Sequence, residues 1–124
     1  MFALTRYEID VEATRMSVGS SGAVSVLVNL VGEKDARDLD LGGREASILE
    51  AGEGVVRRAI DRFGLLKASV IHRTGSLREG DVLMVAAVSA PRYQDAIRGL
   101  ELIAEEVRQV MAVHSPQEVQ SRQR

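Results

Sequence analysis

The segment from Val70 to Val113 constrains the fold more than any other part of the chain. Val70-Ile71-His72-Arg73 ends an apolar strand that runs into a polar turn, Thr74 to Gly80, with glycines at 75 and 80. Asp81 to Ser89 is a second apolar strand, which stops at Ala90-Pro91, where a long helix opens. From about Arg92 to Val113, the apolar residues Ala96, Ile97, Leu100, Ile103, Ala104, Val107, Val110 and Met111 fall on one stripe. Arg98, Glu101, Glu105 and Gln109 face away from it. Two apolar strands and a one-sided helix within so short a stretch are buried most simply as a sheet covered by helices.

The rest of the chain supplies further layers of the same kind. Phe2 to Ile9 reads as an opening strand, and Asp10 is placed to cap a short helix from Val11 to about Met16. After the turn Gly19-Ser20-Ser21-Gly22, the unbroken aliphatic run Ala23 to Val31 is predicted to be a central strand covered on both faces. Gly32 to Arg37 is a charged loop, and Asp38 to Leu41 a short strand broken by Gly42-Gly43. Ile48, Leu49, Val55, Val56, Ala59, Ile60 and Phe63 give a helix from Arg44 to Phe63, weakened or bent in its middle by Gly52 and Gly54. Gly64 is its C-cap, and a strand from Leu66 to Arg73 follows. The expected product is a mixed α+β domain over residues 1–116 with a polar tail at 117–124.

Composition removes several function classes. Sixteen basic and eighteen acidic residues leave a formal charge of −2, which argues against a nucleic-acid footprint or a polybasic membrane surface. The absence of cysteine excludes disulfides, thiolate metal sites and a cysteine nucleophile, and His72 and His114 do not suggest a metal site. No apolar run approaches a membrane span and no leader pattern is visible, so the expectation is a cytoplasmic protein. Aromatics are only 3% of the chain, so its core must come from Val, Leu, Ile, Ala and Met.

Taken in order, Val70-Ile71-His72-Arg73-Thr74-Gly75-Ser76-Leu77, Gly80-Asp81, and Val88-Ser89-Ala90-Pro91-Arg92 with the long helix resemble the large subunit of molybdopterin synthase. The likeness extends more weakly to the N-terminus. The resemblance implies an α/β-hammerhead-like mixed sheet with covering helices, a homodimer, and a ubiquitin-like sulfur-carrier small subunit on each side. The carrier's Gly-Gly tail, as a thiocarboxylate, would donate sulfur to cyclic pyranopterin monophosphate, with no cofactor implied. Such chemistry needs cations around a phosphate and around a carboxylate-like tail.

Carried over residue by residue, the resemblance marks Arg108 and Ser115 at the positions of the family's two late lysines. Arg108 keeps the charge, yet a guanidinium does not give up its proton. Arg92 keeps the arginine of a Ser-Ala-His-Arg motif whose histidine is replaced by Pro91, and the arginine after the central strand falls on Gly32, with Lys34 and Arg37 nearby. At the N-terminus of a helix, Arg92 opposes the macrodipole unless an anion is close. His72 and Arg73 read as structural, a bonded histidine at a sheet edge and a surface arginine. The carboxylates Glu105-Glu106, and Glu45 with Glu50, make no case for acid–base catalysis. Two other readings stand beside sulfur transfer: a catalytically degenerate, dimeric carrier-binding or scaffold module, and a small-ligand-binding α+β domain of merely similar fold.

Overall fold

A computed structural model describes residues 1–114. Ser115 and the tail at 117–124 lie outside the described residues. The elements run β1 (Phe2–Thr5), α1 (Val11–Met16), β2 (Ala23–Leu30), a single 3₁₀ turn (Glu33–Asp35), β3 (Arg37–Leu39), α2 (Glu45–Phe63), β4 (Lys67–Arg73), β5 (Gly75–Leu77), β6 (Val82–Ala90) and α3 (Tyr93–His114).

Four strands form a mixed sheet in the order β1-β4-β6-β2, parallel between β1 and β4 and antiparallel elsewhere. β3 and β5 make a separate two-stranded antiparallel ribbon. The fold is thus the expected mixed α+β architecture of a sheet with covering helices. The ribbon is the addition, because Gly75-Ser76-Leu77 is too short to stand out from the polar turn around it.

Alternation along the strands sends side chains to two layers. Phe2, Val70, Met84, Ala86 and Val88 join the core cluster beneath α2 and α3. Residues on the opposite face meet α1, and there the contact is fastened by polar bonds. Ser89 Oγ donates to the Val18 carbonyl oxygen at 2.7 Å, and Ser17 Oγ to Ser69 Oγ at 2.9 Å. Asp10 caps α1 as expected, its side chain accepting from the Ala13 N–H at 2.9 Å. No helix among the described residues is long and apolar enough to cross a membrane.

Two expectations are corrected. β2 is an edge strand, not a central one, and Val26, Val28 and Leu30 are 37%, 38% and 59% exposed. An aliphatic run signals burial of apolar surface but not which neighbour provides it. β1 is shorter than Phe2–Ile9 because its parallel pairing ends at Thr5↔Arg73, although Ile9 is still buried. α2 runs continuously from Glu45 to Phe63 through both glycines.

Gly52 has a packing reason: the Phe2 ring occupies the space a Cβ would take. Gly54 has none, since a Cβ there would meet only the flexible end of Arg58 at 3.3 Å. Gly64 ends the helix in the left-handed region at φ 62°, ψ 40°.

The two glycines should therefore respond in opposite directions. Gly54→Ala should stabilise the protein by up to about 1 kcal/mol through helix propensity. Gly52→Ala should destabilise it by about 1–3 kcal/mol through overpacking against Phe2. Urea unfolding followed by circular dichroism checks both.

Candidate functional site

The second half of α3, with parts of β2, β3, β4 and β6, encloses a groove of about 820 Å³. The floor carries Leu27, Asn29, His72 and Met84; Arg37 and Leu39 close one end; Glu101, Glu105, Arg108 and Met111 line the helix side. The arrangement mixes apolar and neutral polar groups underneath with charged groups around the opening, suited to a flat ring or an extended peptide tail bearing an anion.

Two of the expected residues meet here. Arg108 leaves the exposed side of α3, where its Nη2 donates to Glu105 Oε1 at 2.6 Å, within the same helix. That hydrogen bond and the accompanying charge attraction hold the Glu105 carboxyl below the usual carboxylate range and the Arg108 guanidinium above its own. Both groups are exposed, so the pair is weak and open to exchange with another anion. Arg37, half-buried at the start of β3, donates from Nη1 to the Asp35 carbonyl oxygen at 3.2 Å.

The other expected residues do not join them. Gly32 and Lys34 are exposed around the 3₁₀ turn and line no part of the groove, so of the three candidates after β2 only Arg37 reaches it. Pro91 and Arg92 are exposed where α3 begins. At about 1.5 Å per residue, positions 92 and 108 lie about 24 Å apart along the axis, too far for one protomer to place both on a small anion. A second, more polar depression of about 630 Å³ beside β1 contains none of the expected residues.

Glu101 and Glu105, expected to face away, border the groove together with Ala104, Val107, Arg108 and Met111 of the same helix. His72 and Arg73 are only 6% and 7% exposed. They are neither at a sheet edge nor on the surface, because β1 pairs along β4 and makes it an interior strand. Arg73 Nη2 donates to the Ser76 carbonyl oxygen at 3.1 Å. His72 Nδ1 lies 2.7 Å from the Arg73 carbonyl oxygen. A carbonyl can only accept, so Nδ1 carries the proton and Nε2 keeps its lone pair. Burial lowers the imidazole pKa to about 4, outweighing that hydrogen bond and reinforced by the nearby Arg37 charge. Among the described residues, no group of three or more His, Asp or Glu could hold a metal ion.

A profile of the family described as "MoaE protein" matches residues 4–110. The chain belongs to the MoaE family. That is the molybdopterin synthase large-subunit family of the sequence resemblance, and it gives the chain a role in molybdenum cofactor biosynthesis.

Among solved structures, a molybdopterin biosynthesis MoaE protein from Burkholderia ambifaria is 25% identical, with a TM-score of 0.69 over 86% of this chain and 74% of that one. Molybdopterin cofactor biosynthesis protein E from Burkholderia multivorans is 26% identical, with the same TM-score and coverage. The fold is also that of a protein–protein complex of subunits 1 and 2 of the molybdopterin-converting factor from Helicobacter pylori, at 18% identity, TM-score 0.68, over 85% of this chain and 75% of that one. No curated protein matches the chain.

The neutral state of His72 makes stability depend on pH. The folded pKa near 4 lies below the ordinary 6.5, so the unfolded chain takes up the proton first as pH falls. The stability associated with the neutral ring is complete above about pH 6.5 and lost on the way down to about 4, amounting to about 3 kcal/mol at about 1.4 kcal/mol per pH unit. Urea unfolding at pH 7, 5.5 and 4.5 should show a steeper loss for the wild type than for His72→Gln, which has no proton to take up there.

Proposed function

We propose that the chain is the large subunit of a molybdopterin synthase and moves sulfur from the thiocarboxylate end of a small ubiquitin-like carrier to cyclic pyranopterin monophosphate. The observation that carries this reading is the groove under the end of α3, which has Arg108 on its helix side and Arg37 at one end. Its uncharged floor accepts a ring or the glycine tail of a carrier. Its guanidiniums offer charge-assisted hydrogen bonds to a phosphate or a carboxylate-like terminus. The pairing of two subunits in the Helicobacter pylori complex supports a small-subunit partner here.

In this reading the arginines bind and orient. Neither exchanges protons near neutral pH, so their contribution is to hold the two anionic reactants together and to stabilise charge as the carbon–sulfur bond forms. An incoming anion takes the place of Glu105 on Arg108. Arg92 serves the same substrate from a second protomer, since the length of α3 keeps it from the groove of its own chain; this is the role of the homodimer. Lys34, Gly32 and Pro91, which line no part of the groove, have no role in this reading.

A single-turnover assay with purified protein, thiocarboxylated carrier and cyclic pyranopterin monophosphate, read through the fluorescent oxidation product of molybdopterin, tests the proposal. Product above a carrier-only control is expected, and its absence would overturn sulfur transfer in favour of a carrier-binding module. Arg108→Ala should lower kcat/KM by about 10–100-fold, the equivalent of one charge-assisted hydrogen bond, while leaving the oligomeric state unchanged.

A further inference from the structure

The charged groups account for anion binding in the groove but leave its floor without a role. The guanidiniums of Arg37 and Arg108 have only donors to offer. The carboxylates of Glu101 and Glu105 accept, but they are negative and stand on the exposed side of α3, and Glu105 already holds Arg108. A ligand with its own phosphate is repelled by such acceptors. A nitrogen heterocycle that also carries N–H donors needs an acceptor that is neutral, fixed and away from water.

His72 meets these conditions through geometry. It lines the floor of the groove and is almost fully buried. Its backbone is held between two strands, paired with Leu4 of β1 and Met84 of β6. The 2.7 Å bond from Nδ1 to the Arg73 carbonyl fixes both the ring orientation and the tautomer. The opposite nitrogen is thereby left as an acceptor, and Leu27, Leu39 and Met84, which line the same groove, offer apolar surface to a flat ring. Burial keeps the ring neutral at physiological pH, so no positive charge replaces the lone pair.

Resting on the sulfur-transfer reading, we propose that His72 is a substrate-recognition residue whose Nε2 accepts a hydrogen bond from a ring N–H of the pterin while a groove arginine holds the phosphate. His72 selects the heterocycle; the arginines select the anion. The sequence signal was present in the Val-Ile-His-Arg strand end. The missing link was the parallel pairing with β1 that places this strand inside the sheet.

The test uses the full chain labelled with ¹⁵N-histidine. With only two histidines, His114→Gln assigns the ring signals. Adding cyclic pyranopterin monophosphate should move the Nε2 resonance of His72 towards that of a hydrogen-bonded acceptor and leave Nδ1 protonated. Inorganic phosphate should not move it. Calorimetric affinity for the pterin should fall about tenfold in His72→Phe and recover to within about threefold of wild type in His72→Gln, whose amide oxygen accepts.

Pterin binding with an unmoved Nε2 signal, or an equal shift with phosphate alone, would overturn the assignment and leave sulfur transfer standing. No pterin binding by the wild type would overturn both. Should His72→Phe fail to fold, the resonance of the wild-type protein decides.

Discussion

The pairing of β6 along both its edges, to β4 on one side and β2 on the other, is the constraint on which everything else depends. From Met84 to Ala90 this strand is buried, with Val85, Ala87 and Ser89 towards α1 and Met84, Ala86, Val88 and Ala90 towards the longer helices. A strand bonded on both edges and covered on both faces leaves little freedom of register, because a slip of one residue would exchange the two faces. It thereby places His72 opposite Met84 and brings the β2 edge beside the floor of the groove. α3 begins three residues after β6 ends, so its path over the sheet is set by the same strand.

The site follows from the two sides of α3. α3 has 22 residues and is buried on one side as far as Met111 and Ala112, while Glu101, Glu105 and Arg108 on its exposed side reach the groove. Over the sheet the helix buries Ala96, Gly99, Ile103 and Val107. On the other side of the same turns, Glu101, Glu105 and Arg108 border an opening instead of bulk solvent. An ordinary i, i+3 ion pair on a helix surface becomes the rim of a cavity through its position, while the buried strand end opposite supplies an uncharged histidine. Chemical contrast between rim and floor is what gives the groove a polarity a ligand can match.

Most of this fold could be read from periodicity. α1 from Val11 to Met16, the capping Asp10, the terminating Gly64 and the strand–turn–strand–helix run from residue 70 all lie where local sequence puts them. What could not be read is adjacency. An aliphatic run such as Ala23 to Leu30 has the same composition at an edge as at a centre, and Gly75-Ser76-Leu77 becomes a strand only because Arg37–Leu39 lies beside it. The site shows the same division. Arg108 stood out only through the family resemblance, since its helix position is that of an ordinary solvated arginine; Arg37 was one of three loop candidates, and His72 read as structural.

β2 has a consequence beyond the site. Its eight residues, Ala23 to Leu30, include no lysine, arginine, acidic residue or proline, the residues by which sheet edges commonly resist unwanted pairing. The whole chain carries a formal charge of only −2, so long-range repulsion between molecules is slight. Colloidal behaviour therefore becomes part of the folding problem: this surface is safest when something ordered lies against it, and crowding selects for whichever neighbour arrives there first.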